Sequence, residues 1–478
     1  MAVGMAVPCR ALEDGIARTP PMGWNSWNHF GGSITEAKFK AIADAFVSSG
    51  LKDAGYRYLV VDDEWMEATR DANANLIPVA SKFPNGMKAL GDYAHAKGLM
   101  FGIYACPTKT TCAHRAGSFD HETQDAGAFA AWGVDYLKYD WCGVQSGEDA
   151  NGGVAVPEVM RRYVAMRDAI RATKRPVLYA LCEKGQGTRG IKPGSWQDTV
   201  GHMWRIGYDI GGNWASITGH IDEDASLAKY AKPGGWNDPD MMEVGNGPSD
   251  AENRAHFSAW CILAAPLILG NDPSTMSDTV KAILTNKEAI AVDQDSLGAQ
   301  GIRIKGAGGL EVWVKELKNR DKAVLFLNRT GAAAAIAVKW TDSLIGWDAN
   351  AKVDVRNLWK HTDSLGVPGG MTLTVPSHDA AMLRIRKADA VGIAAADLKL
   401  PEATVVRVDG GLSLFLPWNG NAGHATLSLS DMQGKTVLTM PVHGGWNPMP
   451  SAEVPAGIYI LRISNPAHAS AHWVSIFR

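Results

Sequence analysis

Short apolar runs rich in β-branched and aromatic residues recur through the first three fifths of the chain. Each ends in polar side chains: "MGWNSWNHF", "YRYLVVDDEW", "LMFGIYACP", "VDYLKYDWC", "PVLYALCE", "HMWRIGYD", "GGWNDPDMM" and "PLILGND". Between them lie segments whose apolar residues fall at helical spacing, such as Glu36 to Ser49 and Pro157 to Ala172. Eight strand candidates alternating with helices predict parallel βα units. A (β/α)8 TIM barrel over residues 15–298 is the economical reading, because that architecture takes about 250 residues. The open doubly wound sheet is the rival, but no Gly-rich phosphate turn follows the first strand candidate.

From about Ile302 the texture changes. Alternating runs such as "LEVWVKEL", "KAVLFLNRT" and "AAMLRIRK" predict an antiparallel β-sandwich over residues 299–387. The small-residue stretch "KADAVGIAAADLKLP" places a linker at 388–401. After it, "GGLSLFLPW", "ATLSLSDMQGKTVLTM", "AGIYILRISN" and "HWVSIF" predict a further all-β module of immunoglobulin-like size over 402–478. The fold class is therefore α/β at the start and all-β in the two regions that follow.

Composition narrows the partners. A net charge of −3 supplies no basic field for a phosphate backbone, so nucleic acid is not expected. No apolar run reaches the length of a membrane-spanning helix. Seventeen Trp residues offer flat apolar faces that suit sugar rings, although core packing is their commoner use. The start "MAVGMAVPCRALEDG" reads either as the tail of a trimmed signal peptide or as a frayed terminus. Cysteines at 9, 106, 112, 142, 182 and 261 show no metal-ligand spacing. They fit a bridge or two in an exported protein, or buried thiols in a cytosolic one.

The barrel reading gives the polar residues a common address, because the carboxyl ends of the strands form the functional face of such barrels. Asp62, Asp63, Cys112, Lys138, Asp140, Glu183, Arg205, Asp209, Asp238 and Asp240 would converge there. Carboxylates with a Lys and an Arg among them, and no His cluster, suggest acid/base or nucleophilic work. Glycosyl transfer to water needs two carboxyl groups in opposite protonation states. Asp140, two residues after Lys138 on one strand face, would be held ionised by that cation. Asp209, near Arg205 in sequence, would stay protonated if its own site were more apolar. Each Asp taken alone also fits a helix N-cap. A metal site is disfavoured because the acids are interleaved with Trp, Lys and Arg rather than with further ligands. Phosphoryl transfer lacks a P-loop.

The motifs "PPMGWNSWNHF", "YLVVDDEW", "YLKYDWC", "WRIGYD" and "WNDPDMM", in this order, resemble those of the melibiase-type α-galactosidases of glycoside hydrolase family 27. The resemblance spans roughly the first 385 residues. It implies that Asp140 is the nucleophile that forms a covalent glycosyl-enzyme and Asp209 the general acid/base. It further implies that Trp24, Asp62, Asp63, Tyr104, Lys138, Arg205, Asp240 and Met241 line a galactose pocket, with Asp62 and Asp63 taking the 4- and 6-hydroxyls. Glu183 would face the 2-hydroxyl. Cys112 and Cys142 would form a disulfide beside the pocket. The family retains anomeric configuration, which implies carboxyl groups about 5–5.5 Å apart.

Retention of Glu183 argues for galactose over its 2-acetamido analogue, and the intact Asp pair argues against a β-L-arabinopyranosidase. Two features depart from the family pattern: Glu64 and Gly31 or Gly32 stand where many relatives form a further disulfide, and Lys184 stands where an aromatic is common. The C-terminal module is similar to sorting domains of bacterial secreted enzymes, with an accessory β-domain as the alternative. The resulting expectation is a secreted or periplasmic, retaining exo-α-galactosidase that needs neither cofactor nor metal. An α-N-acetylgalactosaminidase, an isomalto-dextran-cleaving relative and a non-catalytic sugar-binding barrel are the alternatives.

Overall fold

The computed structural model describes residue 12, residues 14–149 and 153–388, and seven strands with one flanking residue between 404 and 476. Beyond Ala388 the expected linker lies outside the described residues, as do Cys9 and the first eleven residues. The chain divides near Ala390 into two compact units.

All eight expected strands form: β1 (Met22–Asn25), β2 (Tyr58–Val61), β3 (Met100–Ala105), β4 (Tyr136–Asp140), β5 (Leu178–Cys182), β6 (Met203–Arg205), β7 (Trp236–Asp238) and β8 (Leu267–Leu269). They pair in parallel in chain order, with β8 beside β1. A parallel bridge between Met242 and Leu269 joins the two ends of the sheet. Helices separate the strands, among them Glu36–Ser48 and Val156–Ala172.

Strand periodicity sorts the side chains into two layers. Val60, Tyr136, Leu178, Ala180, Met203, Trp236 and Ile268 pack together inside the barrel. Leu59, Leu137, Tyr139, Tyr179 and Leu181 belong to the larger core with the surrounding helices. A side-chain period of two therefore puts Lys138 and Asp140 on the interior face with Tyr136. Both faces of β4 are covered, as parallel strands require. Gly102 in β3 is needed for this closeness, since a Cβ there would stand 2.6 Å from Val60 Cγ2 and 3.1 Å from Tyr136 Cβ.

Eight further strands follow: β9 (Ile302–Lys305), β10 (Leu310–Glu316), β11 (Lys322–Asn328), β12 (Ala334–Lys339), β13 (Lys352–Asn357), β14 (Thr362–Pro368), β15 (Gly370–Val375) and β16 (Asp379–Lys387). Six of them form an antiparallel sheet in the order β14-β13-β16-β11-β10-β9, covered by the pair β12–β15. Val312, Val324, Phe326, Leu383 and Ile385 face that pair in one core. Their alternates Trp313, Leu325, Leu327 and Met382 join the barrel core instead. The barrel helix Asp250–Leu263 lies at this seam, where Trp359 Nε1 donates to Ser258 Oγ at 2.9 Å and Arg254 pairs with Asp379.

In the second unit, β17 (Thr404–Val408), β18 (Gly411–Leu416) and β21 (Gly445–Met449) form one antiparallel sheet. A second contains β19 (Ala425–Ser430), β20 (Thr436–Val442), β22 (Gly457–Ser464) and β23 (Ala469–Ile476).

Gly102→Ala should lower stability by about 1–3 kcal/mol, because the new methyl meets a stiff β-branched neighbour across the interior. Urea denaturation monitored by Trp fluorescence measures it, and an unchanged midpoint would contradict the packing argument.

Candidate active site

The ends of β2 and β4 meet at one ion pair. Lys138 Nζ stands 2.8 Å from Asp62 Oδ2, and Asn25 Nδ2 donates to the same oxygen at 2.6 Å. Burial works against the Lys138 charge, but the Asp62 carboxylate overrides it and raises the ammonium's pKa well above its ordinary value. This differs from the sequence expectation, in which Lys138 served Asp140. The side chain crosses to β2 instead, over the ring of Tyr104.

Asp63, in the turn that follows β2, has other partners. Its Oδ1 accepts from Glu64 N at 2.7 Å and its Oδ2 from Ala113 N at 3.0 Å. Burial pushes its pKa up to about 6 against these hydrogen bonds. Glu64 then packs against Gly32, where a Cβ would come within 2.4 Å of its carboxylate, and pairs with Arg115 at 3.0 Å and Lys82 at 3.5 Å. Where the family pattern has a disulfide, this chain has a three-residue ion cluster.

Asp140 ends β4, buried. Tyr104, on the interior of β3, donates its O–H to Asp140 Oδ2 at 3.2 Å. Cys112 and Cys142 form a disulfide against the same oxygen, with Cys112 Sγ at 3.7 Å. Cys112, Asp140 and Cys142 form the one grouping of metal-ligand residue types among the described residues, and its sulfurs are bonded to each other. Asp140 Oδ1 accepts no hydrogen bond from any described residue. Its nearest cation is Lys184, whose Nζ is 3.8 Å away.

Asp209 follows β6. Its side chain is 73 % exposed, and its Oδ1 lies 2.9 Å from Arg205 Nη2 and 2.8 Å from Lys184 Nζ. Crowding by the protein pushes its pKa up, but the Arg205 and Lys184 charges outweigh that and hold the carboxyl well below the usual range. The condition on which the sequence left Asp209 protonated, a more apolar site, is not met: the side chain is open to solvent and Lys184 reaches it from the neighbouring strand end. Lys184 thus spans Asp140 Oδ1 and Asp209 Oδ1. Both carboxylates therefore border one gap, where they share a single ammonium.

Arg205 also binds Asp240 Oδ2 at 2.8 Å and the Tyr208 carbonyl at 2.9 Å. Asp240 adopts φ +85° and accepts from Ile210 N and Met241 N, while Trp260 Nε1 donates to its carbonyl at 3.0 Å. Met241 is buried beside it, and Trp24 is fully buried with its Nε1 donating to Asn271 O at 2.8 Å. Asp238 caps Asp240 N at 2.9 Å.

Glu183, expected to face a sugar hydroxyl, ties its own loop together. Its oxygens accept from Thr188 N at 2.7 Å, Gly185 N at 3.0 Å and Thr188 Oγ1 at 2.8 Å, so the carboxylate is engaged within its own loop. Sequence reasoning also missed Asn25, which holds Asp62, and the reach of Lys184. The polar end of the first strand run was the available signal for Asn25.

The sequence profile described as "Alpha galactosidase A" matches residues 19–295, and that described as "Alpha galactosidase C-terminal beta sandwich domain" matches residues 307–385. The chain belongs to the α-galactosidase A family. An α-galactosidase of Oryza sativa subsp. japonica is 46 % identical over 375 residues, covering 78 % of this chain and 86 % of the relative. An α-galactosidase A of Cellvibrio japonicus is 45 % identical, covering 77 % and 92 %. The crystal structure of α-galactosidase I from Mortierella vinacea superposes with a TM-score of 0.74 at 34 % identity, covering 79 % of this chain and 99 % of that one.

In this α-galactosidase-family barrel, Lys138→Met should cost about 3 kcal/mol by leaving Asp62 buried without its cation. Adding Asp62→Asn should recover much of that loss. Denaturant titration of the single and double variants measures the coupling, and additive losses would remove the ion pair from the account.

Proposed function

We propose that the protein is a retaining exo-α-galactosidase that releases terminal α-linked galactose from oligosaccharides or galactomannan side chains. The observation that carries this reading is the pair of carboxylates at one gap: Asp140 Oδ1 and Asp209 Oδ1 both contact the same ammonium, that of Lys184, as two groups acting on one glycosidic bond must lie close together. Asp140 Oδ1, free of hydrogen bonds from described residues, attacks the anomeric carbon as the glycosidic C–O bond breaks. Asp209 gives its proton to the departing oxygen. In the second step Asp209 takes a proton from water, the water oxygen bonds to the anomeric carbon, and the Asp140 ester bond breaks. The two carboxyl groups complete this cycle.

Asp62, Asp63 and Lys138 form the polar end of the sugar pocket, with Trp24, Tyr104, Arg205, Asp240 and Met241 supporting it. Cys112 and Cys142 wall it beside the nucleophile. Glu183 acts on substrate choice through its loop, so galactose over the 2-acetamido sugar rests on loop shape. The disulfide supports a secreted or periplasmic location, since such bonds persist in oxidising compartments. The 402–478 region serves as a sorting or accessory module.

Initial rates on p-nitrophenyl α-galactoside, α-N-acetylgalactosaminide, β-L-arabinopyranoside and α-glucoside should favour the first strongly. Asp140→Ala should reduce that rate by at least about a thousandfold with the fold intact. Preference for another glycoside would overturn the substrate, and residual rate near wild type would overturn the nucleophile.

Asp63 adds a pH dependence. Its ionised form accepts sugar hydroxyls, and that form is lost as pH falls through about 6. KM for the galactoside should therefore rise below that pH, and in Asp63→Asn it should be high and flat across the same range.

A further inference from the structure

Lys184 has a place that the double displacement does not require. Its backbone is in the left-handed region at φ +62°, in a turn that the Glu183 carboxylate ties together through Gly185 and Thr188. Its side chain is 7 % exposed, and its ammonium lies 2.8 Å from Asp209 and 3.8 Å from Asp140. The scissile bond must enter that same gap, since its carbon meets one carboxylate and its oxygen the other.

We propose that Lys184 is a positioning residue for the acid/base: in the free enzyme its ammonium fills the gap between the two carboxylates, competes with the leaving-group oxygen for Asp209, and so sets the upper pH limit of hydrolysis. The proposal rests on the roles of Asp140 and Asp209 given above.

The charges around Asp209 come from several elements. Arg205 on β6 stands at 2.9 Å but also serves Asp240 at 2.8 Å and the Gly207 and Tyr208 carbonyls at 3.3 and 2.9 Å. Lys138 on β4 acts from further away and is paired with Asp62. Asp140 shares Lys184, and Asp240 shares Arg205. Lys184 is thus the cation whose contacts are the two reacting carboxylates themselves. A cation at that distance favours the carboxylate form of Asp209, while the first step needs its acid form. The acid form falls tenfold per pH unit above the carboxyl's pKa, so hydrolysis fails at a lower pH than it would without Lys184.

The test is kcat/KM against pH for melibiose with wild type, Lys184→Met, Lys184→Gln and Lys184→Arg, each checked for unchanged thermal unfolding. In Met and Gln the alkaline limb should move up by about one pH unit or more, giving at least about a tenfold gain on that limb. Lys184→Arg should keep the limb low. With 2,4-dinitrophenyl α-galactoside, whose leaving group needs no proton, the limb should barely move. An unmoved limb in both folded neutral variants overturns the proposal. So does loss of melibiose hydrolysis at every pH with the dinitrophenyl substrate still cleaved, which would make Lys184 the proton donor. If wild type cleaves a different glycoside, the galactosidase reading fails and the same profiles on that substrate still decide Lys184. If wild type cleaves none, both readings fall.

Discussion

The buried Arg205 guanidinium is the constraint on which the Asp209 end of the site depends. It ties the segment after β6 to the segment after β7 by binding Asp209, Asp240 and the Tyr208 carbonyl at once. Planar donors in a fixed fork suit such multiple attachment, and a buried cation is tolerable only when so completely partnered. Asp240 accepts a left-handed backbone to take part, held by two further N–H donors. The position of Asp209 follows from this knot, since its own side chain is largely open to solvent.

Two electrostatic poles result. At one, Lys138, Asn25 and Asp62 form a closed, buried cluster with Asp63 beside it, suited to a fixed set of hydroxyls. At the other, Asp140 is buried but has one oxygen free of donors, facing a cation shared with an exposed carboxylate. The first pole is closed and fully partnered, and the second leaves a carboxylate oxygen and an exposed carboxyl group open to new contacts.

The barrel was legible in the sequence because parallel strands covered on both faces read as apolar runs, and their polar ends marked the functional face without ambiguity. Asp62, Asp140 and Asp209 were found that way. What escaped was the pairing of long side chains. Lys138 shares a face with Asp140 but reaches across to Asp62, a choice set by strand neighbours that spacing along one strand does not encode. Glu183 carries the right chemistry for a sugar ligand, and the turn that closes on Thr188, five residues on, also supplies it with backbone and hydroxyl donors. Lys184 was visible as an unusual residue, while its direction depended on a positive φ that only the folded turn imposes.

The six-stranded sheet of the sandwich is apolar on both faces, and one face completes the barrel core. The helix Asp250–Leu263 links the two bodies: Ser258 and Arg254 meet the sandwich, and Trp260 holds the Asp240 carbonyl. From Trp260 through Asp240 and Arg205, an unbroken line of hydrogen bonds runs to Asp209. The sandwich places none of the residues described here in the pocket, yet it is the wall against which Asp209 is braced. A change in its packing is therefore carried to Asp209 along that line of hydrogen bonds.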